Sequence, residues 1–283
     1  MTTLIHETPP ALEWLHLADG RVVVASPDRA WVHRPGPGLT DPFVRPMQGR
    51  GSPETARRLL DGLIAAARPA RPATRPPLSL HRWAWRLAGF YQTTHATPPT
   101  MAAAAEKFRT SGDLALAAYC DAKVRDEGGH DRLALRDLQA LGYDADGLVE
   151  AVVPHTAAAL VTWFTELLQP ARPVGVLGYA YALERMAMTV DASYLRAVEA
   201  LLPPGVRATR CLRVHSALGS DADHVDDIID VMQQIDATDR VAIGRACFRT
   251  AQILFHSPPE GPPSDEAIAA ATRPFLRQGA THE

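Results

Sequence analysis

Apolar and polar positions follow two different periods along this chain. Residues 12 to 35 alternate, as in LEWLHLADGRVVVAS, and the alternation turns at Asp19-Gly20, a pair that favours the tight turn of a β-hairpin. The run RAWVH, ending at His33, predicts a third strand. The period then lengthens. GSPETARRLLDGLIAAA reads as a helix with Ser52 as its cap and Pro53 at its first position. ARPARPATRPP, which follows, has no apolar period and reads as a stiff, extended linker. From Leu78 onward the spacing is helical, in segments near 79–95, 98–110, 113–141, 146–169, 174–201, 205–234 and 238–255. Turn signals such as Thr110-Ser111-Gly112-Asp113, Gln169-Pro170 and Pro203-Pro204-Gly205 separate them. The expected organisation is a small α+β unit over 1–66, a Pro/Arg-rich linker over 67–77, and a mostly α helical bundle over 78–283.

Charge narrows the function classes. The formal net charge is −3 with both signs interspersed, which argues against a nucleic-acid groove or a membrane surface. The longest apolar runs, such as Ala151 to Val161, are too short to span a bilayer. The N-terminal MTTLIHETPP lacks the basic and apolar regions of a signal peptide. Cys120, Cys211 and Cys247 have no paired spacing and read as reduced thiols, so a cytoplasmic location is expected.

Three helical segments carry candidate ligands. In RDEGGHDRLALRDL, Glu127 and His130 are three residues apart and so share a helix face, flanking two glycines that each cost a helix about 1 kcal/mol. Glu-x-x-His pairs on facing helices build di-iron sites in bundles, where carboxylates hold the metal and imidazoles tune it. The glycines admit either a close helix contact or a ligand. Glu184 sits among apolar neighbours in YAYALERMAM, where an inward carboxylate needs a partner. LRVHSALGSDADHVDDIID offers His215, Asp221 and His224. His215 and His224 are nine residues apart, so in a regular helix they diverge. They converge only if the helix breaks, and Gly219-Ser220 is the natural place. Each feature alone is most simply a solvated face or a core histidine; the combination points to a metal.

These residues resemble a known family. DEGGHDRLALRDLQALG is similar to the second-core-helix signature of heme-oxygenase-like diiron oxidases, the iron-containing redox enzymes. PVGVLGYAYALERMA is similar to the family's glutamate-bearing stretch, and LRVHSALGSDADHVDD to its final His…Asp-x-x-His stretch. The resemblance covers roughly residues 80 to 255 and implies a heme-oxygenase/TenA-like helical bundle. It implies two Fe(II) ions per chain, O2 as co-substrate, and oxidation of a small metabolite: amino-acid-derived, fatty-acid-like or carrier-bound, in the biosynthesis of a specialised product. The ligands carried over are Glu127, His130, Glu184, His215, Asp221 and His224, with Asp223 competing with Asp221.

Members also place a glutamate on the first core helix. If the chain turns near Ser111-Gly112, the level facing Glu127 lies near residue 96, which selects His95 and rejects Glu106, roughly 15 Å further along the axis. Without a first-helix carboxylate, a mononuclear iron oxygenase is the variant reading. A metal-free TenA-like protein is the alternative of a different class, with Cys211 and Cys120 as nucleophile candidates; heme ligation by a histidine is a third. Trp163, Phe164, Tyr179 and Tyr181 are candidates to line an apolar substrate pocket. The architecture allows a homodimer, and the N-terminal hairpin offers an edge to a carrier or peptide partner.

Overall fold

A computed structural model describes residues 12–36, 41–49, 51–70, 76–216, 221–233, 235–256, 258 and 261–277, with the backbone alone for 221–223. The chain starts with three short antiparallel strands, β1 (Glu13–His16), β2 (Val22–Ala25) and β3 (Ala30–His33), in the order 1-2-3. Trp14 lies opposite Val24, and Val24 opposite Trp31. The continuous apolar run of β2 has a simple cause: both faces are covered. Leu15, Val23 and Ala25 belong to the main core, whereas Val22 and Val24 cluster with Phe43, Trp14 and Trp31. Helix α1 (Pro53–Ala66) starts as its sequence predicts, with the Ser52 side chain accepting from the Thr55 N–H.

Helix α2 (Leu80–Thr110) is the longest of the described helices and continues through Pro98-Pro99. The sequence pattern predicts two helices here. Packing reverses that expectation: Trp83, Ala84 and Leu87 are buried before the prolines, and Met101, Ala104, Ala105 and Phe108 after them. Both halves are held by helices that the molecule stacks against α2, and this outweighs the backbone bonds lost at two prolines.

The remaining long segments break where the pattern predicts continuity. The 113–141 segment divides into α3 (Leu114–Asp126) and α4 (Asp131–Ala140). The 146–169 segment divides into α5 (Ala145–Ala151) and α6 (His155–Glu166), which meet at 73° across Val152–Pro154. Helices α7 (Gly175–Ala187) and α8 (Ala192–Glu199) are parted by a turn in which the Asp191 carboxylate caps α8 through the Ser193 and Tyr194 N–H groups. Helices α9 (Arg210–Val214) and α10 (Asp221–Met232) replace the predicted 205–234 helix. Helices α11 (Ala237–Phe255) and α12 (Asp265–Thr272) complete the bundle, with a 3₁₀ turn at Arg273–Phe275. At each break the chain passes from one apolar cluster to another, with α3, α6, α7 and α10 in one and α4, α5, α8 and α9 in the other; both flanking helices still bury an apolar face, so the period alone does not reveal the corner. No single described helix is long and apolar enough to cross a membrane.

Two apolar clusters form the interior. One joins the N-terminal unit to α3, α6, α7, α10, α11 and the second half of α2; the other joins the first half of α2 to α4, α5, α8 and α9. The N-terminal unit therefore shares its core with the bundle. Leu15, Leu60 and Leu63 belong to one cluster with Ile243, Cys247 and Ala251 of α11. A buried ion pair, Arg240 Nε to Glu13 Oε1 at 2.7 Å, clasps α11 to β1, and Arg240 also donates to the carbonyls of Ile235 and Gly49. Residues 71–75 of the linker lie outside the described residues. Helix α7 lies against α11 so closely that a Cβ at Gly178 would drive into the Ile243 carbonyl. That contact fixes the depth at which Glu184, less than two turns later, enters the interior.

Candidate metal centre

The Gly128-Gly129 pair is the corner between α3 and α4. Gly129 takes φ +84°, a left-handed conformation that only glycine adopts freely, and the chain turns there. Glu127 ends α3 and His130 precedes α4, so they are not neighbours on one helix face as their spacing suggests. The turn brings them together instead: His130 Nδ1 lies 3.0 Å from Glu127 Oε2. Beside them stands His215, the residue that ends α9, with its ring centroid 4.9 Å from that of His130 and edge-on to it. From the other side, α7 contributes Glu184 and α10 contributes His224, whose Nδ1 is 3.5 Å from Glu184 Oε1.

Two sets of donors result. Glu127, His130 and His215 form one, and Glu127, Glu184 and His224 the other; within each, the donor atoms all lie within 4.8 Å of one another. Glu127 belongs to both. The break between α9 and α10 allows His215 and His224 to join the same carboxylate in different sets. The interruption predicted at Gly219-Ser220 falls outside the described residues, as do the side chains of Asp221 and Asp223; the backbone of Asp221 opens α10.

The structure does not bring His95 into either set. It lies at the expected level on α2, opposite the α3–α4 corner, but faces outward: its side chain is 60% exposed, stacks on Tyr91, and pairs with Asp131 at 2.8 Å. Glu106 is exposed and pairs with Arg109. Where α2 faces the centre it presents Thr93, Thr94 and Thr97, with no carboxylate among them.

Two residues here escape the sequence pattern. Lys123, one turn before Glu127 on α3, is 3% exposed; its Nζ donates to Glu184 Oε1 at 2.6 Å and lies 3.8 Å from Glu127 Oε1. Tyr119, one turn earlier, buries a hydroxyl that has no hydrogen-bond partner among the described residues. Its phenol is held well above its ordinary range, first by burial and then by the charge of Glu184. A signal for Lys123 exists in the composition. The chain has only two lysines among 29 basic residues, and the other, Lys107, donates to the Leu168 carbonyl just beyond α6.

Electrostatics favour ionised carboxylates. Burial raises the Glu127 pKa, but the His130 hydrogen bond and the charges of His215 and Lys123 outweigh it and bring the group down to about 2. Glu184 also lies below the usual carboxylate range: burial and Glu127 oppose ionisation, while His224 and Lys123 prevail. Anionic oxygens and imidazole nitrogens converging at a largely buried point are a donor set that suits iron.

A cavity of about 260 Å³ opens on this cluster. Lys123, Glu127, Glu184 and His215 form its polar end; Phe90, Met101, Phe164, Tyr179, Leu183 and Leu254 form much of its apolar wall. The threonine hydroxyls are spent on carbonyls of their own helix, Thr94 on Phe90 at 2.8 Å and Thr97 on Thr93 at 2.9 Å, so these positions add mainly methyl surface. Of the four aromatics proposed from sequence, Phe164 and Tyr179 line the cavity, stacked on each other. Tyr181 turns away to Asp61, and Trp163 to Thr250. Cys120 is buried in the core, and burial and Asp121 push its thiol up to about 12, away from the thiolate form a nucleophile needs.

Residues 84–255 match the family of iron-containing redox enzymes, and the chain belongs to that family. It is an oxidoreductase-family protein with a heme-oxygenase-like fold. A solved domain of unknown function from Shewanella denitrificans, itself described as having a heme oxygenase-like fold, shares the architecture at TM-score 0.51 and 19% identity, over 69% of this chain and 81% of that one. No curated protein matches the sequence.

Proposed function

We propose that the protein is a non-heme, dinuclear iron oxidase that uses O2 to oxidise a small, largely apolar metabolite. The observation that carries this reading is Glu127, one carboxylate held in common by two three-donor sets. Glu127, His130 and His215 hold one ion; Glu127, Glu184 and His224 hold the other. Iron bound there supplies the electrons that dioxygen chemistry requires. The protein's part is to hold both carboxylates ionised, to exclude water, and to orient the substrate. The cavity is below the common range for drug-sized ligands, roughly 300–1,000 Å³, which suits a small metabolite and argues against a porphyrin. Its charged groups gather at the iron end, so the substrate's body lies along Phe164, Tyr179 and the threonine methyls with its reacting carbon toward Glu127 and Glu184. A reducing, cytoplasmic setting suits three buried cysteines that form no disulfide among the described residues.

The test is anaerobic Fe(II) loading followed by metal analysis of wild type, His130→Ala and His224→Ala. The expected result is close to two irons per chain in wild type, with each variant losing about one. One iron in wild type, lost only in His130→Ala, selects a mononuclear oxygenase. No specific iron leaves the fold without this chemistry.

A further inference from the structure

The Glu127–Glu184–His224 set already contains a cation. Lys123 Nζ is 2.6 Å from Glu184 Oε1 and 3.8 Å from Glu127 Oε1, and the side chain is 4% exposed. The same Glu184 oxygen faces His224 Nδ1. The ammonium thus stands between the two carboxylates that a second metal ion would have to bridge. Lys123 approaches Glu127 through Oε1, whereas His130 of the other set is on Oε2, so the ammonium lies on the oxygen of Glu127 that His130 does not take. Lysine is also the fitting residue for this task. Its charge is compact and sits on a flexible stem that can withdraw, while arginine's rigid fork would clamp a carboxylate bidentately. In a chain whose basic residues are otherwise arginine apart from Lys107, this position departs from the chain's own habit.

On the reading of the site proposed above, we infer that Lys123 is an internal cation that competes with the second metal, making the two ion sites unequal. The first ion binds at Glu127, His130 and His215. The second binds only when the Lys123 ammonium leaves Glu184, and substrate entering the cavity that Lys123 lines is positioned to drive that exchange. Metal loading would then be coupled to the presence of substrate rather than fixed at assembly.

The experiment is anaerobic titration of full-length protein with Fe(II), and with redox-inert Zn(II), by calorimetry and metal analysis. Wild type and Lys123→Met are compared. Wild type is expected to bind a second ion about tenfold or more weaker than the first, and Lys123→Met to bring the two affinities within about threefold by removing a neighbouring charge. Thermal unfolding guards against a merely structural role. Lys123→Met leaves two carboxylates facing each other, so Zn(II) should raise its melting temperature more than that of wild type. A variant that folds only with Zn(II) supports the inference. Identical binding phases in the two proteins, or a variant that Zn(II) cannot stabilise, overturns it. Those results leave the iron reading intact, whereas absence of metal binding by wild type removes both.

Discussion

Two regions of this molecule bury charge, and they do it differently. At the junction of the N-terminal unit with the bundle, Arg240 and Glu13 are each 2% exposed and meet at 2.7 Å, and other arginine donors are taken by backbone carbonyls. At the α3–α4 corner, Lys123, Glu127, Glu184, His130, His215 and His224 crowd together at the end of a cavity. The first arrangement uses a rigid fork whose Nε, Nη1 and Nη2 each donate to a group inside the protein, so it clasps two elements together. The second gathers excess acceptor capacity around one flexible ammonium, so its oxygens and imidazoles can exchange partners. Buried charge marks function where the donors converge on space, and marks structure where they converge on each other.

The contrast is tested most forcefully at the clasp. Replacing Glu13 by Ala strands a buried guanidinium and should cost about 3–5 kcal/mol of stability in denaturant unfolding. The iron-to-chain ratio of the folded fraction should not change. A parallel loss of iron would mean that the two charged regions are coupled through α11.

The second test uses pH. The folded-state pKa of Glu127 is depressed from 4.5 to about 2, so its contribution to stability is complete above the unfolded value and is lost as pH falls through the folded one. In metal-free protein, the stability difference between wild type and Glu127→Gln should therefore shrink by about 3 kcal/mol between pH 5 and pH 2. Parallel curves over that interval would show that His130, His215 and Lys123 do not hold Glu127 ionised.

The smallest effect is predicted at His95. Its pairing with Asp131 is solvent-exposed, so His95→Ala should cost about 0.5 kcal/mol or less and leave the iron content as in wild type. Loss of an iron in that variant would restore His95 as a ligand and require α2 to rotate inward.

Much of this architecture is legible in the sequence. Asp19-Gly20 and the alternation around it specify the hairpin, because side chains on a strand alternate by two and the turn needs a residue tolerant of positive φ. Ser52-Pro53 specifies the start of α1 through capping, a strictly local interaction. Glu127, His130, Glu184, His215 and His224 stand out as chemistry because carboxylates and imidazoles amid apolar helical spacing demand partners.

The decisive geometry is not local. Periodicity alone keeps 113–141 as one helix, whereas the Gly128-Gly129 corner splits it and replaces a shared helix face with a turn of the chain. Pro98-Pro99 suggests a break that packing on both sides of α2 overrides. His95 is selected by its level along α2, but rotation about that axis, which depends on the whole layer of neighbours, turns it outward. Lys123 is invisible to periodicity because nothing within α3 distinguishes an interior lysine from a surface one; its role exists only once α7 places Glu184 against it. The order of residues thus sets which groups this protein has for chemistry and most of its helical segments, since capping, turn preference and periodicity act over a few positions. Which carboxylate the two donor sets share, and which cation stands between them, depends on the packed fold, because those relations join residues that several helices and the corners between them bring to one point.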